Sequence, residues 1–215
     1  DPYTIAGQGT IAVELEEQML PEAAAVLVPV GGGGLLAGIA TWVRSRFPGV
    51  KIYGVEPKGA ASMHAALEEG EIVSLPKVDP FVDGTAVGRA GDLPYSVVRE
   101  LVDDILVVPE GAVCTEMLDL YHSDGVIAEP AGALASAAAR MYFADPEQRS
   151  QLLGDTSGAL VAVVSGGNND MTRYAEIMER SLRHEGLRHY FLVTFPQQPG
   201  ALRSFLEDVL GPGDD

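Results

Sequence analysis

The chain has 215 residues, 47% of them apolar and 21% charged, enough for one sizeable core and too apolar for a disordered chain. Fourteen basic against 31 acidic residues leave a formal charge of -17, which repels nucleic-acid backbones and anionic lipid alike and excludes both as expected partners. A single cysteine, Cys114, excludes a disulfide framework and a cysteine metal cluster; on an apolar helical stretch it reads as a packing residue of a cytoplasmic protein.

The opening DPYTIAGQGT has neither a basic start nor an apolar stretch behind it, so it is no secretory signal and reads like the middle of a protein. The run from Ala23 to Ala40 is long enough to span a membrane, but Pro29 and four consecutive glycines would break a helix at its centre. It divides into AAAVLVPV, a continuous apolar run expected of a strand buried on both faces, and a helix reaching Phe47. In that helix Leu35, Leu36, Ile39, Ala40 and Val43 recur at helical spacing. Pro48-Gly49 stops it. KIYGVE predicts the next strand, Ser62 to Glu69 a helix punctuated by Gly70, and Ser74 to Leu93 a loop-rich stretch. From Tyr95 there follow a helix (SVVRELV), a strand (DILVV), and a helix entered at Pro109 and ending near His122. VIAEPAGALASAAARMYF turns from a short apolar run into an alanine-rich helix, a packed core element over Ala131 to Ala139, and GALVAVVSGGNND repeats strand, glycine turn and helix start. The alternation predicts an α/β fold, a wound, mostly parallel sheet over residues 1–185. Beyond Gly186, RHYFLVTF predicts a strand of a second small domain over 186–215, followed by a turn and an amphipathic helix. Both ends read as cut, so a fragment is expected.

In wound sheets, ligands bind outside the carboxyl ends of the strands, where helix N-termini present free amides. Four features are expected on that rim: Gly31 to Gly34 after VLVPV, Glu56 after KIYGV, Glu129 after VIA, and Ser165-Gly166-Gly167 after LVAVV. A glycine loop opening a helix offers amide donors and a positive dipole end to an anion, most naturally a phosphate. Taken singly, a glycine turn is ordinary connection, and Glu56-Pro57 or Glu129-Pro130 is an acidic helix start. Convergence on one rim is what argues for a site. His64, His122, His184 and His189 lack ligand-like spacing, so no metal centre is expected from them. GGGLLA, with Glu56 closing the next strand, also fits the dinucleotide pattern, so an NAD-binding Rossmann-type dehydrogenase stands as an alternative. That pattern leaves the second, serine-headed glycine turn unexplained.

GGGGLLAG, GVEP, FVDGTAVG, AEPAGALA and SGGNND, in this order and spacing, resemble the pyridoxal-phosphate enzymes of the tryptophan-synthase-like fold, fold type II. Within them the likeness is greatest to the biosynthetic threonine dehydratases (threonine ammonia-lyases), and it runs from about Ile5, where IAGQGTIAVEL begins, to the end. HYFLVTFPQQPGALRSFLEDVLG is similar to the opening of the ACT-like regulatory domain of that family. The resemblance implies pyridoxal 5'-phosphate as cofactor, its phosphate cradled by the amides of Gly31, Gly32, Gly33, Gly34 and Leu35. It sets Ser165 beside the pyridine nitrogen, where a hydroxyl bonds without forcing a full proton onto the ring, and Gly84 and Glu129 near the ring and its 3-oxygen. In related serine racemases a divalent cation lies beside the position matching Glu56, with a further carboxylate six residues on. Here that position is Ser62, so no metal is expected.

The resemblance also requires a Schiff-base lysine. Lys51 begins a strand on the amino rim, and Lys58 and Lys77 lie in surface-like turns, so none is expected on the carboxyl rim; the lysine belongs to the family segment before Asp1. The implied whole protein converts L-threonine, and by family habit L-serine, in a homo-oligomer regulated by isoleucine or valine. A catabolic serine/threonine dehydratase, or a non-catalytic binding module if the chain is naturally complete, remain the other readings.

Overall fold

The structure is a computed structural model that describes residues 1–18 and 20–209. Helix α1 (Pro2–Gln18) leads into strand β1 (Ala23–Pro29), and α2 (Gly34–Arg46) carries the chain to β2 (Lys51–Pro57). Helices α3 (Ser62–Glu69) and α4 (Asp92–Leu101) lead to β3 (Asp104–Val108), and α5 (Glu110–Asp119), α6 (Leu134–Phe143) and α7 (Pro146–Leu153) to β4 (Ala159–Ala162). Two helices follow the sheet, α8 (Tyr174–His184) and α9 (Ala201–Asp208). Among the described residues the strands form one sheet in the order β3-β2-β1-β4, every neighbouring pair parallel. Parallel neighbours cannot be joined by hairpins, which is why helices alternate with strands in the chain.

Both faces of β1 are covered, so the whole strand is buried. The pleat sends Val26, Val28 and Val30 toward Leu36, Ile39 and Val43 of α2 and Val98 of α4. Leu27 goes the other way, into a core with Met117 of α5, Leu134 of α6 and Ile177 of α8. Register follows from these faces: Val26 stands opposite Ile52, and Leu27 opposite Tyr53. At the amino ends Asp103 gathers Lys51 Nζ at 2.9 Å, Arg44 Nη2 at 2.8 Å and the Ile52 amide at 2.9 Å, tying α2, β2 and the entry to β3. The outer edge of β3 is blunted by its own neighbours, since the Asp104 carboxylate accepts from the Ile105 amide at 2.7 Å and the Tyr142 hydroxyl donates to Val107 O at 2.8 Å.

The expected wound parallel sheet is present, with differences that have physical causes. Gly7 and Gly9 mask α1 as a helix, yet Gly9 serves a backbone crossing: a Cβ on Gly38 of α2 would lie 2.6 Å from Gly9 N and 3.1 Å from Gly9 Cα. Helix α4 begins at Asp92 rather than near Tyr95, inside the stretch expected as loop. The whole of α7 is additional; its signal was Asp145-Pro146, where Asp145 Oδ1 caps the amides of Glu147 and Gln148, both at 2.9 Å. VIA is no strand, so Glu129 does not end one: Val126 and Ile127 are exposed, and the Glu129 amide donates to Gly166 O at 3.2 Å. RHYFLVTF is likewise no strand, because no described segment offers it a ladder. Gly186 does turn the chain after α8, with φ 70°, and α9 is the expected amphipathic helix. Residues 210–215 of the expected second domain lie outside the described residues.

The glycine crossing of α1 on α2 yields the first prediction. Gly38→Ala drives a methyl into the α1 backbone and should destabilise the fold by about 1–3 kcal/mol, a cost typical of overpacking. Urea unfolding of the two proteins checks it; unchanged stability would show that α1 can move off α2 at no cost.

Candidate functional site

The chain leaves β1 for β2 and β3 on one side, while β4 lies on the other side of β1. The carboxyl ends of β1 and β4 therefore flank the point where the winding reverses, and a crevice opens there. Every residue singled out from the sequence as cofactor-binding lines one cavity at this point, of about 220 Å3. Gly31, Gly32, Gly33, Gly34 and Leu35 form one wall; Gly84, Glu129 and Ser165 form the other. A wider cleft of about 610 Å3 runs along β3, lined by side chains such as His64, Asp104 and Tyr142, and it contains none of the residues singled out as cofactor-binding.

Gly33 caps the start of α2 with φ 88° and ψ 1°, a left-handed conformation that favours glycine. A Cβ there would also press on Met63 Cε at 2.6 Å and Pro94 Cβ at 2.8 Å, so α3 and α4 back the loop directly. Gly32 and Gly34 are the opposite case, since an added Cβ meets nothing within 4 Å and would project into open space. The loop carbonyls are engaged: Gly91 N donates to Gly32 O at 3.2 Å, and Ala37 N to Gly33 O at 2.9 Å. The amides of Gly32, Gly33, Gly34 and Leu35 donate to no acceptor among the described residues. Free amides at the positive end of a thirteen-residue helix make an anion cradle without a basic side chain.

The facing wall is as tightly specified. Gly166 has φ 90°, and a side chain there would strike the Glu129 carboxylate; a Cβ on Gly84 would lie 3.3 Å from Glu129 Oε1 and 2.8 Å from Ala131 Cβ. The Glu129 carboxylate is thus lodged between two glycines, half-buried, while a Cβ on Gly132 would meet the Ser165 carbonyl at 2.5 Å. Thr85, buried and also lining the cavity, escaped the sequence reading although FVDGTAVG contains it. Its amide and its hydroxyl both donate to Val82 O, at 3.0 and 3.3 Å, so it packs the turn that carries Gly84.

Glu56 is not a rim ligand. It is fully buried inside β2 and receives the Met63 and His64 amides at the start of α3, each at 2.9 Å. Burial pushes its carboxyl up to about 7 against the opposing pull of the amides of His64, Met63 and Ser62. A ribose hydroxyl has no access to it, which removes the structural basis of the dinucleotide alternative. Cys114 is buried on α5, where desolvation pushes its thiol up to about 12, the state of a packing residue. Lys51 is bound to Asp103 on the amino rim, as expected. Lys58 corrects the expectation, for it directly follows the carboxyl end of β2; its side chain is exposed, and it does not line the glycine-loop cavity.

Residues 1–166 match the family described as "Pyridoxal-phosphate dependent enzyme", and residues 179–214 match the "C-terminal regulatory domain of Threonine dehydratase". A protein of Mycobacterium bovis named L-threonine dehydratase biosynthetic IlvA is 56% identical over 217 residues, covering 100% of this chain and 48% of its own length. Its namesake in Bacillus subtilis is 49% identical, covering 100% of this chain and 49% of its own length. The chain thus spans about half the length of the curated relatives it matches. Among solved structures, the processed form of threonine deaminase isoform 2 from Solanum lycopersicum superposes with a TM-score of 0.75 at 38% identity, over 84% of this chain and 50% of that one.

The buried Glu56 carboxyl carries a pH signature. Its native value of about 7 lies above the ordinary 4.5, so the stability it contributes is present below 4.5 and lost as pH rises through 7. The loss is on the order of 3 kcal/mol. Glu56→Gln stays neutral throughout, so the stability difference between the two proteins should move against the unmodified one by that order between pH 5 and pH 8. Urea unfolding at both pH values measures it, and an equal difference at both would contradict the assignment.

Proposed function

The chain belongs to the family of pyridoxal-phosphate dependent enzymes, and on that premise we propose that it supplies the cofactor cradle of a threonine dehydratase, converting L-threonine, and L-serine by the same elimination, to a 2-oxo acid and ammonia. The observation that carries the reading is the set of unpaired amides from Gly32 to Leu35 facing Ser165 and Glu129 across one cavity. These residues fit pyridoxal 5'-phosphate. Gly32 and Gly34 leave room where a Cβ would intrude, and the donors are amides aimed along a helix axis, suited to a phosphate dianion. When bound, the cofactor supplies an electron-withdrawing ring that acidifies the α-proton of an attached amino acid and promotes loss of its β-hydroxyl.

The rest of the work falls to the chain. The Gly31 to Leu35 wall holds the phosphate and so fixes where the ring lies. Ser165, half-buried at the facing wall, would hydrogen-bond the ring nitrogen through its hydroxyl without committing a full proton to it, which would moderate electron withdrawal in favour of elimination. Glu129 and Gly84, in the same wall, would lie near the ring and its 3-oxygen. None of Lys51, Lys58 and Lys77 lines the cavity, so the Schiff-base lysine is assigned to a part of the protein outside these 215 residues. Residues 1–185 form most of the catalytic domain. Residues 186–215 open an ACT-like regulatory domain, which binds isoleucine or valine in a cytoplasmic homo-oligomer. No described helix is long and apolar enough to cross a membrane.

Gly32→Asp in the full-length enzyme tests the reading, because its carboxylate would project where the phosphate sits and repel it. Cofactor affinity should fall by at least about tenfold, roughly 1.4 kcal/mol, with threonine dehydration falling in parallel. Titration of the cofactor-stripped protein with pyridoxal phosphate, with NAD as a control ligand, reads it out. Unchanged affinity would remove the glycine loop from the site, and tight NAD binding would restore the dinucleotide reading.

A further inference from the structure

The aromatic ring of Phe81, 4% exposed, is met by two arginines that belong to the last helical unit before Gly186. The Arg180 guanidinium carbon, on α8, lies 4.0 Å from the ring centroid, and that of Arg173, at the α8 N-cap, lies 5.0 Å away. Arg173 Nη2 also donates to Phe81 O at 2.6 Å, and Arg173 Nη1 stands 3.5 Å from Asp83. Arg180 reaches Asp79 at 4.0 Å, whose Oδ1 accepts the Phe81 amide at 2.9 Å. Three residues after Phe81 comes Gly84, then Thr85, both in the wall of the glycine-loop cavity. The intervening turn is closed by Thr85 N to Val82 O at 3.0 Å, and a Cβ on Gly31 would meet Thr85 Cα at 3.2 Å, so the turn cannot shift without reaching the glycine loop.

The far end of α8 points elsewhere. Residues from 179 onward fall in the stretch that matches a regulatory domain, so α8, about 16 Å long at 1.5 Å per residue, starts against the segment that leads into the cavity wall and ends in that stretch. Its flank is fixed on α5 by the Ser181 and Thr115 hydroxyls at 3.0 Å, and a Cβ on Gly111 would meet His184 Cβ at 2.6 Å. We propose that Arg173 and Arg180 are positioning residues that couple α8 to the Phe81–Thr85 wall, so that a regulatory event displacing α8 changes how substrate and cofactor are held. The inference rests on the reading of the protein as a regulated threonine dehydratase. It adds the route: two guanidinium groups held on one ring, an arrangement in which a lysine would keep the charge but lose the guanidinium's fork of donors.

The test uses the full-length holoenzyme, with isoleucine and valine as probes and threonine saturation as readout. In the unmodified enzyme the effector should shift threonine half-saturation by about fivefold or more. In Arg173→Gln and Arg180→Gln that ratio should fall below about twofold while turnover without effector stays within about twofold of the original, and Arg180→Lys should be intermediate. A full effector response in both glutamine variants overturns the coupling. No response in the unmodified enzyme overturns the regulated reading itself, so the two failures are distinguishable. Should a variant not fold, hydrogen exchange of the unmodified enzyme decides: effector must change exchange at residues 81–85, and unchanged exchange there overturns the proposal.

Discussion

Four backbone amides that meet no acceptor among the described residues, just beyond the carboxyl end of a fully buried strand, are the constraint around which the rest is arranged. The first amides of a helix have no intrahelical acceptor and bond water when nothing else is there; a phosphate, with several acceptor oxygens, can satisfy a group of them at once. Side chains would block the approach, which explains Gly32 and Gly34; the left-handed turn into α2 explains Gly33. The remaining glycines of the crevice serve the same end from the other side, since Gly84 and Gly166 make room for the Glu129 carboxylate.

A loop of glycines has no side chains to hold its own shape, so the shape is imposed from behind. Met63 and Pro94 press on Gly33, the Gly91 amide bonds Gly32 O, and Thr85 stands against Gly31. Met63 is itself held by Glu56, a carboxyl buried at a cost to its charged form so that it can cap the start of α3. The protein thus spends stability inside β2 to keep a bare loop in one geometry, an arrangement in which a site and its support are built from different strands. The contacts of Arg173 and Arg180 with Phe81 extend that support from the cavity to α8.

Much of this was legible because the relevant signals are local. An apolar run, a glycine turn and a helical repeat lie consecutively in VLVPVGGGGLLAGIA, so the glycine wall of the cavity is readable from spacing, as is the turn at Ser165; Gly84 is named by the family resemblance alone. Elements whose fate depends on distant partners were not. VIA and RHYFLVTF have strand composition but no ladder among the described residues to join, and the role of Gly9 is invisible locally because its partner, Gly38, is 29 positions away in sequence. Glu56 stands at the strand end expected of it, but position at a strand end does not reveal that its carboxyl is already engaged by the amides of the next helix. The family resemblance supplied what spacing could not, namely which phosphorylated ligand the cradle suits and which lysine is to be sought elsewhere.

The central claim is that the amides of Gly32 to Leu35 hold the cofactor phosphate. Hydrogen exchange resolved to single amides in the full-length protein, with pyridoxal phosphate bound and after its removal, tests it most directly. The account predicts that removal raises exchange at Gly32, Gly33, Gly34 and Leu35, and that inorganic phosphate alone restores part of the protection at these amides. Exchange at the four amides that is indifferent to both ligands would contradict it.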